Sequence, residues 1–215
     1  MISEKSTVET KQVGSNVVIH ENCVIDKTCI IGNNVTIGNN VTIYPNVEIE
    51  DNVYIWDNCV IGRTPMGVKT VHSKIQEGHL PTKICQNSVI GCGVTIYNNV
   101  QIGNDSLIAE NVVIRERSVI EGDNIIGTNS FIQKDCFIGR GTRIIQLSSL
   151  ASGTIIGKNN FISSAFTCVS DKTFGIAGYS DKMVGPKIGN NNLIGPNVTI
   201  LDNLTIGNNN TIGAK

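Results

Sequence analysis

Large rings are in short supply in this chain: its 215 residues include one Trp, four Tyr and five Phe. A core built on stacked aromatics is therefore excluded, and buried volume has to come from aliphatic side chains. Histidine is rarer still, with three in total and none after His79, so the C-terminal remainder holds no histidine base. An excess of charge is lacking as well. Lys and Arg number 17 against 18 Asp and Glu, with no basic run, which argues against a nucleic-acid surface. No apolar stretch reaches the roughly 20 residues of a membrane span, and the opening MISEKSTVETKQVGS has no apolar core of the signal-peptide kind. The expectation is a cytoplasmic protein with neither membrane nor nucleic acid as partner.

What the chain has is a count of six, which fits neither the 3.6-residue helix nor a two-residue strand alternation. From Val13 an aliphatic residue recurs at Ile19, Ile25, Ile31, Ile37, Ile43, Ile49, Ile55 and Ile61. The count restarts at Ile84, runs in sixes through Leu150 and Ile162 to Cys168, and restarts again at Ile188 to finish at Ile212. Internal repeats of this kind decide the architecture before local propensity does. The third residue after each isoleucine is often Asn, Asp or Gly, which tolerate the left-handed backbone of a tight corner. The fourth is mostly small or β-branched, as at Val35, Val41, Val94, Ser106, Ser130 and Thr142. Isoleucine and valine favour extended strand, so each hexad reads as one short strand and one corner. Three hexads close a triangular coil, and residues 18 apart stack at the strand spacing of about 4.8 Å. With each buried isoleucine contributing roughly 1.5–3 kcal/mol before entropy is subtracted, the stack makes an adequate core without aromatics. The expected fold is all-β, one solenoid domain over 1–215 with loops inserted at 63–83 and 169–187.

Seven cysteines are distributed by the same ruler. Cys23, Cys29, Cys59 and Cys136 fall at the small inward position and Cys168 at an isoleucine position, where a free thiol acts as a small buried hydrophobe. Cys85 and Cys92 fall at corners. Sequons such as those at Asn34, Asn40 and Asn197 are by-products of the repeat.

A repeat specifies only a core, so function is sought where it is interrupted. The first interruption, RTPMGVKTVHSKIQEGHLPTK, holds His72 and His79; the second, VSDKTFGIAGYSDKMVGPK, holds three glycines, a tyrosine and three lysines. Counting in sixes puts Ile61, Ile96, Ile114, Ile132, Leu150 and Cys168 on one face, so both loops spring from it. Two columns run along that face: Asn98, Glu116, Lys134, Ser152 and Ser170, then Asn99, Arg117, Asp135, Gly153 and Asp171. As outward-facing columns they would form solvated ion pairs, Glu116 with Lys134 and Arg117 with Asp135, worth little at a surface. The bracketing loops single the face out as a site.

The hexads, of the form IGNNVT and IGPNVT, resemble those of the left-handed parallel β-helix acyltransferases, the hexapeptide-repeat family, over nearly the whole chain from Val13. Left-handedness follows from that resemblance, since ordinary parallel crossovers are right-handed. The stretches IGRTPMGVKT from Ile61, VIGCGVTIYNNVQIG from Val89 and LIAENVVIRERSVI from Leu107 look like those of nucleotide-amino-sugar N-acetyltransferases. These act on dTDP- or UDP-linked aminodeoxysugars for surface polysaccharide or glycan biosynthesis. The resemblance implies acetyl-CoA as cosubstrate, no metal, and a homotrimer with its site between prisms. It places Glu116 beside the sugar amine as orienting group or proton acceptor. Asn98, Arg115 and Lys134 go to the sugar, Lys134 standing where the family has asparagine, and Arg63 goes with the first loop to the nucleotide. A CoA groove is implied along the prism axis, lined by Ser152, Ser170, Lys182, Lys187, Gly189 and Gly195, the lysines suiting phosphate.

Other readings stay open on the sequence. A sugar or antibiotic O-acetyltransferase of the same fold would use His72 or His79 as base. A zinc carbonic anhydrase needs histidines on neighbouring coils, which a loop pair separated by six residues does not supply. An ice-binding solenoid needs threonines stacked every 18 residues, yet Thr36 is followed by Tyr54. A purely structural solenoid leaves two long loops without a reason.

Overall fold

A computed structural model describes residues 1–67, 78–169 and 184–214. Among those residues thirty strands, most of them two residues long, form three ten-stranded parallel sheets. Each sheet takes every third strand, so the chain steps round three faces in turn. The architecture is the expected left-handed parallel β-helix. Along the first face Ile61 pairs with Ile96, Ile96 with Ile114, Ile114 with Ile132 and Ile132 with Leu150.

The interior follows from the repeat. All the repeat aliphatics from Ile19 to Ile200 are buried, Cys168 among them. Val8, Val13, Ile206 and Ile212 close the two ends and are only partly covered. The small position four residues on also points inward: Val35, Val94, Cys23, Cys29, Cys59 and Cys136 are buried there, and Phe166 is the largest side chain to occupy it. Corners are turned by the third residue, as the composition predicts. Among the described residues twenty-two non-glycine positions have φ between 55° and 62°. Nineteen are Asn or Asp; the others are Arg117, Leu147 and Ala165, each adopting a backbone that costs an ordinary L-residue roughly 1–2 kcal/mol.

Three details depart from the expected pattern. The coil begins before Val13: Thr7–Val8 pairs with Val24–Ile25, and Ile2 bridges to Ile19. Val8 lies five residues before Val13 instead of six, which hides it from a count in sixes. The loops are also shorter than 63–83 and 169–187, because Arg63 ends the strand Val60–Arg63, Lys83 lies within Thr82–Ile84, and Lys187 opens Lys187–Ile188. Both loops nonetheless leave from one face, since Val60–Arg63 and Thr167–Cys168 share a sheet. Among the described residues no helix is long and apolar enough to cross a membrane.

Candidate active site

The corner from the first face to the second is shaped by the exit of the first loop. Gly62 has φ 80°, and a Cβ there would come within 2.5 Å of Val47 Cγ2. It forms a bulge, the device that re-aims the residue after it, and Arg63 thereby pairs with Tyr97. The Asn98 N–H donates to the Arg63 carbonyl at 2.9 Å, and Asn98 Nδ2 donates to the Gly78 carbonyl at 2.8 Å. One buried asparagine thus ties the outgoing strand and the returning end of the loop to the same rung.

On the next rung Glu116 is only 5% exposed. Its partner is Arg115: Nε donates to Oε2 at 2.8 Å and Nη2 to Oε1 at 3.2 Å. The Arg115 guanidinium lies 4.6 Å from the centre of the Tyr97 ring, and that of Arg63 lies 5.6 Å from the same ring, both within cation–π range. A buried carboxylate is costly unless paired, and Arg115 meets that requirement from the neighbouring position. Two guanidiniums and one carboxylate therefore converge on one tyrosine. Tyr97 is the residue that the sequence did not single out: a step of 18 stacks it with Arg115, but Arg63 counts into the Asn98 column and comes opposite Tyr97 only through the bulge.

The column Asn98, Glu116, Lys134, Ser152 is not an outward, solvated one, and this corrects the sequence expectation. Asn98 is 2% and Ser152 3% exposed, whereas the equivalent position on the other faces, as at Gln86, Glu110 and Gln146, is exposed. The expected Glu116–Lys134 pair does not form either. Lys134 is partly exposed, and no ion pair to it occurs among the described residues. Arg115 pre-empts it by chelating Glu116 from within the same strand end. The second expected pair is present: Arg117 Nε and Nη2 donate to Asp135 Oδ1 and Oδ2 at 2.6 and 2.8 Å, which pushes the Arg117 guanidinium above its ordinary value.

Ser152 Oγ donates to Gln133 Oε1 at 3.1 Å, on the same corner as Glu116. Lys187 and Gly189 belong to the second face and Gly195 to the third; Lys187 pairs with Ile155, three residues past Ser152. Gly195 lines a groove of about 300 Å³ with Phe161, Leu193 and Pro196. Ser170 and Lys182 lie outside the described residues, as does His72. His79 stacks on Tyr44 with ring centroids 5.7 Å apart, and its buried Nδ1 has no hydrogen-bond partner among the described residues. Tyr44 and Arg115 are three rungs apart on the first face, roughly 14 Å at the strand spacing, so His79 does not serve the Glu116 rung directly. Buried thiols are held protonated: burial pushes Cys136 up to about 12 and Cys59 and Cys168 up to about 11. Among the described residues no three His, Cys, Asp or Glu side chains are grouped to hold a metal ion.

The family model for the bacterial transferase hexapeptide, of six repeats, matches residues 28–63, 81–116 and 185–215. The chain belongs to the hexapeptide-repeat family. Solved structures of the same fold include LpxA from Bacteroides fragilis 9343, a UDP-N-acetylglucosamine acyltransferase. It is 22% identical with a TM-score of 0.58, the match covering 78% of this chain and 66% of that one. LpxA from Acinetobacter baumannii is 18% identical with a TM-score of 0.56, the match covering 90% and 66%. This hexapeptide-repeat chain thus spans 66% of the length of each. No curated protein sequence matches it.

Proposed function

We propose that this hexapeptide-repeat protein is an acetyl-CoA-dependent N-acetyltransferase acting on a dTDP- or UDP-linked amino sugar. The observation that carries the proposal is Glu116, a buried carboxylate on the face that both long loops leave from. A sugar amine set against it donates a hydrogen bond to the carboxylate, which orients the lone pair or accepts the proton as the amine attacks the thioester carbonyl. The C–N bond forms, the C–S bond breaks, and CoA leaves as its thiol. Backbone N–H groups hold the oxyanion between those steps. Asn98 and Lys134 flank the sugar, and Arg63 takes the nucleotide side. LpxA, which shares the fold, is by name an acyltransferase of a nucleotide sugar, in keeping with this substrate class. The test is thiol release from acetyl-CoA across a panel of nucleotide amino sugars, with thermal shift as a second readout, since a ligand stabilises the state it binds. Absence of a shift with any CoA ester would remove the transferase reading.

A homotrimer is part of the proposal, supported by the unequal faces. Tyr54, Val89, Leu107, Ile125, Arg143, Phe161 and Leu193 stack in register along the outside of the third face, giving an apolar stripe broken by one charge. The first face offers Val60, Thr95, Val113, Phe131 and Ser149 without any charge, whereas the second carries Glu48, Lys83 and Lys187. Contiguous exposed apolar patches mark contact surfaces, and Tyr54, Leu107, Phe161 and Leu193 of this stripe are exposed. Between the first and third faces, Leu147 is 58% exposed at a left-handed corner where Asn would be cheaper. Of the residues assigned to CoA, Ser152, Lys187, Gly189 and Gly195 are dispersed over more than one face, which suits a groove shared by neighbouring prisms. Light scattering on Leu107→Glu with Phe161→Glu is expected to give a monomer.

O-acetylation is the second reading, and the unpartnered Nδ1 of His79 favours it. Full transfer activity in a His72→Ala, His79→Ala double variant would dispose of it.

A further inference from the structure

In the resting protein Glu116 is occupied. Both carboxylate oxygens accept hydrogen bonds from Arg115, and the Glu116 side chain is only 6% exposed. An amine arriving at this carboxylate as its ammonium form meets a guanidinium already there, and like charges a few ångströms apart repel strongly where water is excluded. Arg115 itself is not locked in: its side chain is 31% exposed and rests on the face of Tyr97. Arg63 shares that ring, and no ion pair to Arg63 occurs among the described residues. The cluster thus has one positive charge more than it has carboxylates.

We infer that Arg115 is an exchangeable counter-ion: a phosphoryl group of the acceptor draws it off Glu116 and so frees the carboxylate for the amine. The inference rests on the proposed role of Glu116 and deepens it by naming what the substrate must carry. Guanidinium forks bind phosphate oxygens two at a time, and Arg63 and Arg115 on one aromatic platform present two such forks. An amino sugar without a phosphoryl group leaves Arg115 on Glu116 and is a poor acceptor; a phosphorylated one brings its own release mechanism. Arg115 is then a positioning residue with two alternating partners.

The exchange makes an unusual prediction about binding, apart from catalysis. If Glu116 and phosphate compete for Arg115, neutralising Glu116 strengthens phosphate binding. Calorimetric titration of the full chain with dTDP, UDP and inorganic pyrophosphate tests this without an acyl donor. Arg115→Met is expected to weaken the tightest of these ligands about tenfold or more, as loss of a charge-assisted pair does. Glu116→Gln is expected to tighten it by roughly threefold or more. Arg115→Lys, which keeps the charge without the fork, serves as the variant of least disturbance to folding and is expected to fall between wild type and Arg115→Met. Failure of wild type to bind any of the three, or unchanged or weakened binding in a folded Glu116→Gln protein, overturns the inference. The outcome is separable from the acetyl-transfer reading: the binding pattern can hold while no acetyl group is transferred, which would remove that reading and leave the counter-ion exchange in place. A second arm compares phosphate sources. Pyrophosphate competing with dTDP assigns the pair to the phosphoryl groups; dTDP binding that is indifferent to pyrophosphate assigns its affinity to the base and overturns the proposal.

Discussion

The corner between the second and third faces and the corner between the first and second share a backbone but not a chemistry. On the former, Asn16, Asn34, Asn52, Asn87 and Asp105 stack rung on rung, each amide donating to the next side chain at 3.0–3.1 Å. Every left-handed residue on it is Asn, Asp or Gly. On the latter the sequence runs Asn99, Arg117, Asp135, Gly153, and the ladder gives way to Arg115–Glu116 and Arg117–Asp135. An arginine in a left-handed conformation is a local penalty that the fold does not require, since asparagine is used at the same place elsewhere. The contrast separates what closes a coil from what has been placed there for another purpose.

That comparison is tested most severely at Glu116. Glu116→Gln is expected to lose roughly 10²–10⁴ in transfer rate if the carboxylate is a true base, and a rate within about threefold of wild type ends that role. No residue of the asparagine ladder should affect the rate at all. Next in size is the effect of alkali. Cys136, Cys59 and Cys168 are raised from an ordinary 9.0 to about 12, 11 and 11 by burial. The folded state keeps protons that the unfolded state releases, so their contribution is whole below pH 9 and lost as pH rises through 11 to 12. Urea midpoints are expected to fall above pH 9, and Cys136→Ala to flatten that fall. Ellman's reagent on native protein should find Cys92, the one exposed thiol, well before the buried five.

Smaller effects sharpen the contrast from the scaffold side. Asn52→Ala removes two ladder bonds and puts alanine into the left-handed region, expected to cost about 1–3 kcal/mol by urea unfolding with activity intact. Arg117→Asn restores the scaffold residue. It loses a half-exposed ion pair worth at most about 1 kcal/mol and relieves strain of similar size, so stability is expected to stay within about 1 kcal/mol of wild type. A large loss there would show that Arg117 supports the coil after all.

Much of this was legible in the residues. The count of six fixes strand, corner and register, and carried to Ile61 and Cys168 it puts both loops on one face. The left-handed corners follow from Asn and Asp at the third position. The partner of Glu116 was not legible, because a step of 18 finds neighbours along the stack and Arg115 is a neighbour along the chain. In an extended strand adjacent side chains point to opposite sides; at the bend after Ile114 that alternation lapses, and the two meet. Tyr97 escaped for a related reason. Its importance depends on the bulge at Gly62, which shifts Arg63 opposite it by one residue, and a uniform count cannot anticipate a skipped position.

The register at that first interruption also bears on how such a protein changes over time. Ile61 faces Ile96 in the sheet although 34 residues separate them in place of the usual 17. The stack is therefore indifferent to how much chain is spliced between the two rungs. Each doubling of such a loop costs only about 0.6 kcal/mol in closure entropy. The spliced segment can be lengthened, shortened or exchanged while the isoleucines on either side continue to fit against one another as if nothing had been inserted.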